Sequence, residues 1–146
     1  MMAGNISTAL ATALLNSILR NTTFTLGPVT VYLAAYKTDP TDDDVGEEVE
    51  TEVELEPTGY ARVAVVFTDP AVDNGRECAN EEDIEFPECL IDWGLITHVG
   101  LRTHAAAGEG DTLLFHGPLA TPKNISSEDV LRFKAGRIVA GFLPTT

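Results

Sequence analysis

Hydrophobic positions recur at helical period in one stretch, near the N-terminus. In ISTALATALLNSILR (6–20), Ile6, Leu10, Leu14 and Ile18 stand four residues apart with Leu15 and Leu19 beside them. That spacing predicts one amphipathic helix. Asn5 or Ser7 is placed to cap its start. The following NTTFTLGP (21–28) ends it with β-branched residues and a Gly-Pro stop. The stripe of Ile6, Leu10, Leu14 and Ile18 is too apolar to leave in water, so these four residues are the candidate interface, with another chain or with the underside of a sheet.

The rest of the chain has the period and composition of strands. Val29–Tyr36 is rich in β-formers and ends at Thr38-Asp39-Pro40. Val49, Thr51, Val53 and Leu55 alternate with Glu50, Glu52 and Glu54, which predicts a strand with one packed and one wet face. Tyr60–Phe67 reads as a more fully buried strand, and residues 69–83 as a long polar loop. Ile84–Phe86, Leu90–Trp93, Ile96–Thr103, Leu113–Phe115, Val130–Phe133 and Ile138–Leu143 follow, parted by turns such as Ala107–Gly110 and Gly117-Pro118. One helix followed by about eight short strands predicts a mainly β chain, an antiparallel sandwich or barrel-like domain spanning 29–143. Strands and helices do not alternate, which excludes the parallel-sheet enzyme architectures. The length, 146 residues, fits a single domain with a core of its own.

Charge changes the picture. The chain carries 23 acidic and 9 basic residues, a net charge of −14. Residues 39–92 alone net −17, whereas 1–38 net +2 and 93–146 net +1. That balance excludes a general nucleic-acid binder, which needs Lys and Arg for phosphates. No run reaches the ~18 apolar residues of a membrane helix, and no basic leader precedes an apolar stretch. Lysine is scarce (Lys37, Lys123 and Lys134 against six Arg). A carboxylate-rich, lysine-poor surface suits molar salt, where the Debye length falls to about 3 Å and like charges repel weakly.

The chemistry-bearing residues do not assemble into a known signature. Phosphate loop, dinucleotide fingerprint, nucleophile elbow and His-Glu-x-x-His are all missing. His98, His104 and His116 have no close-spaced partner in Cys78 or Cys89, which argues against zinc. Two cysteines make no disulfide framework, and the spacing leaves open whether Cys78 and Cys89 pair. Asp42-Asp43-Asp44 with Glu47 and Glu48 lacks the order of an EF-hand and reads as a solvated loop. Trp93, flanked by Gly94 and Gly100 in WGLITHVG, reads as a core residue. The sequons at Asn5, Asn21 and Asn124 read as chance matches. No catalytic residue, metal or cofactor is therefore expected.

With these segments in order, the chain resembles a family of small tailed-virus proteins: head-fibre, tail-fibre or decoration proteins. The resemblance rests on LLNSIL (14–19), VTVYLAAYKTDPT (29–41), GYARVAVVF (59–67), IDWGLITHVGL (91–101), LLFHGPLATPKNI (113–125) and DVLRFKAG (129–136). Each motif is weak alone, but they are collinear over more than half the chain. The resemblance implies a non-enzymatic virion component, favouring the capsid surface (decoration, turret or head fibre) over the tail or baseplate. The partners expected are further copies of the chain and other virion proteins such as the major capsid protein; charge and hydropathy argue for no nucleic acid and no membrane. The acidic segments 42–56 and 73–89 depart from the family and fit a virus of a salt-loving host, such as a tailed virus of haloarchaea. Two readings from other classes are a small carbohydrate-active or cation-dependent enzyme and a host-binding module; a glycan activity screen separates the first of these.

The acidic segment generates a prediction. Below about 0.1 M salt its carboxylates repel over 10 Å or more, and screening relieves this. The melting temperature should rise from dilute buffer to molar salt. A flat or falling series would reduce the acidic segment to an ordinary solubilising surface.

Overall fold

The computed structural model describes residues 2–3, 5–28, 30–70 and 75–142, the first two by backbone alone. In chain order these form β1 (Met2–Ala3), β2 (Asn5–Ile6), α1 (Thr8–Arg20), β3 (Val31–Tyr36), β4 (Glu52–Val53), β5 (Glu56–Pro57) and β6 (Val63–Val65). Then come β7 (Glu77–Ala79), β8 (Ile84–Glu85), β9 (Gly94–Arg102), β10 (Leu113–Ile125), β11 (Arg132–Phe133) and β12 (Ile138–Gly141). A five-stranded antiparallel sheet has the order β2-β10-β9-β3-β6. A three-stranded sheet, β1-β12-β7, joins β1 to β12 in parallel and β7 to β12 antiparallel. Two-stranded ladders pair β11 with β8 and β4 with β5. The result is mainly β and sandwich-like with, among the described residues, a single N-terminal α-helix, as the sequence pattern predicts.

Period two explains the core. Leu33 and Ala35 of β3 share a face with their partners Leu101 and Val99 of β9. Ile96, also of β9, joins the same core with Ile84, Phe86, Leu131, Phe133, Ile138 and Ala140 from in and beside the smaller ladders. Trp93 closes one end, edge-on to Tyr60 at 5.4 Å between ring centroids, with its indole N–H donated to the Thr58 carbonyl at 2.9 Å. Ala34 and Tyr36 of β3 are equally buried but lie on the opposite face. That face is covered by the start of α1 and by residues 38–47.

The helix begins at Thr8, two residues later than the apolar spacing predicts. Ser7 caps it, accepting the Leu10 N–H at 3.1 Å and donating its own hydroxyl to the Leu113 carbonyl at 2.6 Å. Ile6 lies in β2 opposite Phe115. The helix ends at Asn21, whose φ of 53° is a left-handed cap, so the stop precedes the Gly-Pro.

Three strands, one loop and one turn differ from expectation. Val49–Leu55 is not one strand: Val49 bonds Ala35, and β4 then turns back into β5 through Glu54 and Leu55, both at positive φ (51° and 68°). An Asn-Gly pair normally fills such a turn, and the left-handed conformation costs other residues about 1–2 kcal/mol each. Tyr60–Phe67 contributes only Val63–Val65, with its burial alternating. Leu90–Trp93 is a loop, whereas the loop predicted over 69–83 contains β7. Gly117-Pro118 is not a turn but lies within β10. Between Pro118 and Lys123 β10 bulges: four residues, 119–122, stand opposite the single Thr97 of β9.

Gly100 shows how tightly the second face is packed. A Cβ there would lie 2.8 Å from Leu113 Cδ1 and 2.9 Å from Tyr36 Cε2, both buried in a filled layer. Gly100→Ala should therefore destabilise the fold by about 1–3 kcal/mol, measured by denaturant unfolding. A neutral result would contradict the packing of Tyr36 across β9.

Candidate functional site

The apolar surface of β9 and β3 is interrupted by buried charge. Arg62 and Arg102, both nearly fully buried, converge on Asp111: Arg62 Nη1 donates to Oδ1 at 3.0 Å and Arg102 Nε to Oδ2 at 3.0 Å. Arg62 also grips Glu48 in a two-pronged pair (Nε–Oε2 2.9 Å, Nη2–Oε1 2.7 Å) and donates to the His104 carbonyl at 2.9 Å. Arg102 grips Asp44 the same way (2.6 and 2.7 Å) and donates to the Tyr36 hydroxyl at 2.7 Å. Tyr60 donates to Glu48 at 2.5 Å and accepts the Ala35 N–H at 3.0 Å. Planar guanidinium forks suit this geometry because each nitrogen edge matches a carboxylate. Among the described residues no buried side-chain N or O lacks a partner.

This chain of ions is structural in character. Burial pushes the Tyr36 phenol up to about 12 against the lowering effect of Arg102. Burial, with the Glu48 charge and hydrogen bond, raises Tyr60 further. For both arginines burial pulls the pKa down, but Glu48 and Asp111 around Arg62, and Asp44 and Tyr36 around Arg102, more than offset it and leave the pKa raised. The two phenols and two guanidinium groups thus stay protonated at neutral pH.

The acidic run 42–44 is not simply solvated, as the sequence implied. Asp42 pairs with buried His116 at 2.7 Å, Asp43 accepts the Thr8 hydroxyl at 3.0 Å, and Asp44 holds Arg102. Asp39 lies between His98 (3.9 Å) and His116 (4.0 Å). The Thr8 N–H also bonds the Asp42 carbonyl at 2.8 Å, so this loop seats the first turn of α1. No group of three or more His, Cys, Asp or Glu among the described residues is arranged to hold a metal. Cys78 in β7 and the fully buried Cys89 do not form a disulfide, and burial pushes the Cys89 thiol up. Trp93 is a core residue.

The candidate interface residues divide. Leu10 is buried against the body, and Ile6 and Leu14 are half-buried. Ile18 is 73 % exposed and is joined by Leu15 and Leu19. Leu15, Ile18 and Leu19 fall at i, i+3 and i+4, one face of the outer half of the helix. A second surface, which sequence reasoning missed, lies where β10 bulges: Lys123, Arg132, Lys134 and Arg137 rim an open groove of about 320 Å³. The positive balance of residues 93–146 was its only signal.

Residues 5–141 match the model of a family described as podophage GP4 fiber I protein gp80. The chain belongs to this family. No curated protein matches it. As a member of a phage fibre family it is a structural fibre protein with its place in the virion, and the family points away from catalysis. No described helix is long and apolar enough to cross a membrane.

The buried phenols set a pH dependence. A tyrosine ionises near 10 when unfolded, whereas Tyr36 in the fold does so at about 12 and Tyr60 is also raised. Between these values the folded state binds more protons, so stability falls as pH rises. Their contribution should be intact below pH 10 and lost progressively through about pH 12. Tyrosinate absorbance of these two residues should then appear together with unfolding. Their ionisation near pH 10 in a still-folded chain would contradict the network.

Proposed function

We propose that the chain is a component of the virion head surface (a decoration, turret or head-fibre protein) that stands on the particle as a homo-oligomer. Membership of a phage fibre family carries the fibre role. The resemblance to head-fibre, tail-fibre and decoration proteins supports a place on the particle surface, with the head favoured over the tail. The exposed face of α1 supports a docking role for the helix. Its inner end is fixed by Ser7, Leu10 and the Asp42 loop, while Leu15, Ile18 and Leu19 stand in solvent. Burying each such side chain is worth about 1.5–3 kcal/mol. The helix has no acidic residue and a single basic one, Arg20. It thus approaches an apolar surface of another virion protein, such as the major capsid protein, without the repulsion of the acidic segment. The fold's acidic exterior fits a high-salt setting.

Labelled antibodies on intact particles test the placement: label on the head is expected, and label confined to the tail would overturn it. Substituting Leu15, Ile18 and Leu19 together with Gln tests the docking face. These side chains are exposed, so folding should be retained while incorporation into particles falls at least tenfold. Undiminished incorporation of the triple variant would rule out α1 as the attachment element.

A further inference from the structure

The β4–β5 hairpin and the basic groove are complementary surfaces. Residues 51–57 are all exposed, and Leu55 at the tip is 90 % exposed. Glu50, Glu52, Glu54 and Glu56 surround that tip with negative charge. The groove inverts the pattern: Leu119, Phe133 and Ile138 provide an apolar floor, and cations form its rim. Arg132 is already paired with Glu85 at 2.7 Å. Lys123, Lys134 and Arg137 are exposed and have no ion-pair partner among the described residues. In a chain of net charge −14, three unpaired cations around one groove mark a place that receives carboxylates.

The two surfaces lie toward different edges of the five-stranded sheet. Tyr36 pairs with His98 of β9 on one side and bridges Glu48 on the other, so the segment leading to the hairpin leaves the sheet on the β6 side. The groove borders the bulge of β10, beyond β9, toward the other edge. A knob at one edge and a socket at the other form a heterologous pair, which generates rings when the rotation closes.

We propose that the β4–β5 hairpin of one copy seats in the basic groove of the next, with Leu55 on the apolar floor and its glutamates on Lys123, Lys134 and Arg137, joining copies head to tail. The proposal deepens the homo-oligomer reading above and rests on it. Leu55 and Glu54 hold left-handed backbone where Asn-Gly would fit without strain. That makes Glu54→Asn with Leu55→Gly a variant that keeps or strengthens the hairpin while removing its tip. Molar salt screens the charged part of the contact and leaves the burial of Leu55.

Sedimentation of the full chain over a concentration series tests the contact. The wild-type chain should self-associate. The Glu54→Asn, Leu55→Gly variant should dissociate at least tenfold more readily with an unchanged or higher melting temperature. Lys134→Glu with Arg137→Glu should weaken association similarly, and adding Glu52→Lys and Glu54→Lys to the same chain should restore it. A wild-type chain that stays monomeric, or a tip variant that associates like wild type, would overturn the contact. Particle composition is scored separately: wild-type chain present in particles beside an unaffected tip variant sinks the hairpin contact alone. Absence of the chain from purified particles sinks the fibre reading, and the proposal with it.

Discussion

Asp111 is held between two buried guanidinium groups, and much of the outer face of the molecule depends on that arrangement. Arg62 lies immediately before β6 and Arg102 ends β9, and each also holds a further carboxylate, Glu48 and Asp44. Removing an ion from water is expensive, and only close, fully bonded partners offset it. Well-packed apolar residues in place of a buried ion pair often serve stability equally. What the ions add is direction, because a two-pronged Arg–carboxylate pair fixes both distance and plane.

That direction is transmitted to both proposed contact surfaces. Asp44 belongs to the loop that receives the Thr8 N–H and hydroxyl, so Arg102 indirectly sets how α1 leaves the body. Glu48 lies immediately before the segment that runs into the β4–β5 hairpin, so Arg62 and Tyr60 fix its base. The acidic segment therefore has two physical roles. Asp42, Asp44 and Glu48 are internal struts, whereas Glu50, Glu52, Glu54 and Glu56 stay in water and give the hairpin its charge. A single net charge for the segment conceals this division.

Features set by local period were legible in the sequence. The stripe from Leu10 to Leu19 specified the helix, and the runs around Val31–Tyr36, Gly94–Arg102 and Ile138–Gly141 specified strands. Features set by long-range pairing were not. The alternation of Val49–Leu55 was real, but a two-residue turn in an unfavourable conformation reversed the chain at Glu54-Leu55. Pro118 reads as a breaker, yet it lies at the edge of a bulge where a missing N–H does no harm. The helix stripe was legible as apolar but not as divided, because only the fold shows that Leu10 faces the body and Ile18 faces water. Arg62 within YARVAVVF held an unread signal: an arginine among apolar strand residues requires buried carboxylates.

If one buried ion network sets both the helix-bearing loop and the hairpin, weakening its centre loosens both. Hydrogen exchange on Asp111→Asn measures this most directly. The variant should lose roughly 3–5 kcal/mol of stability. The amides of Thr8, Lys37 and Val49, which bond across the loop and hairpin base, should lose protection before those of β9 and β10. Unchanged stability, with protection of Thr8, Lys37 and Val49 equal to that of the native chain, would contradict it.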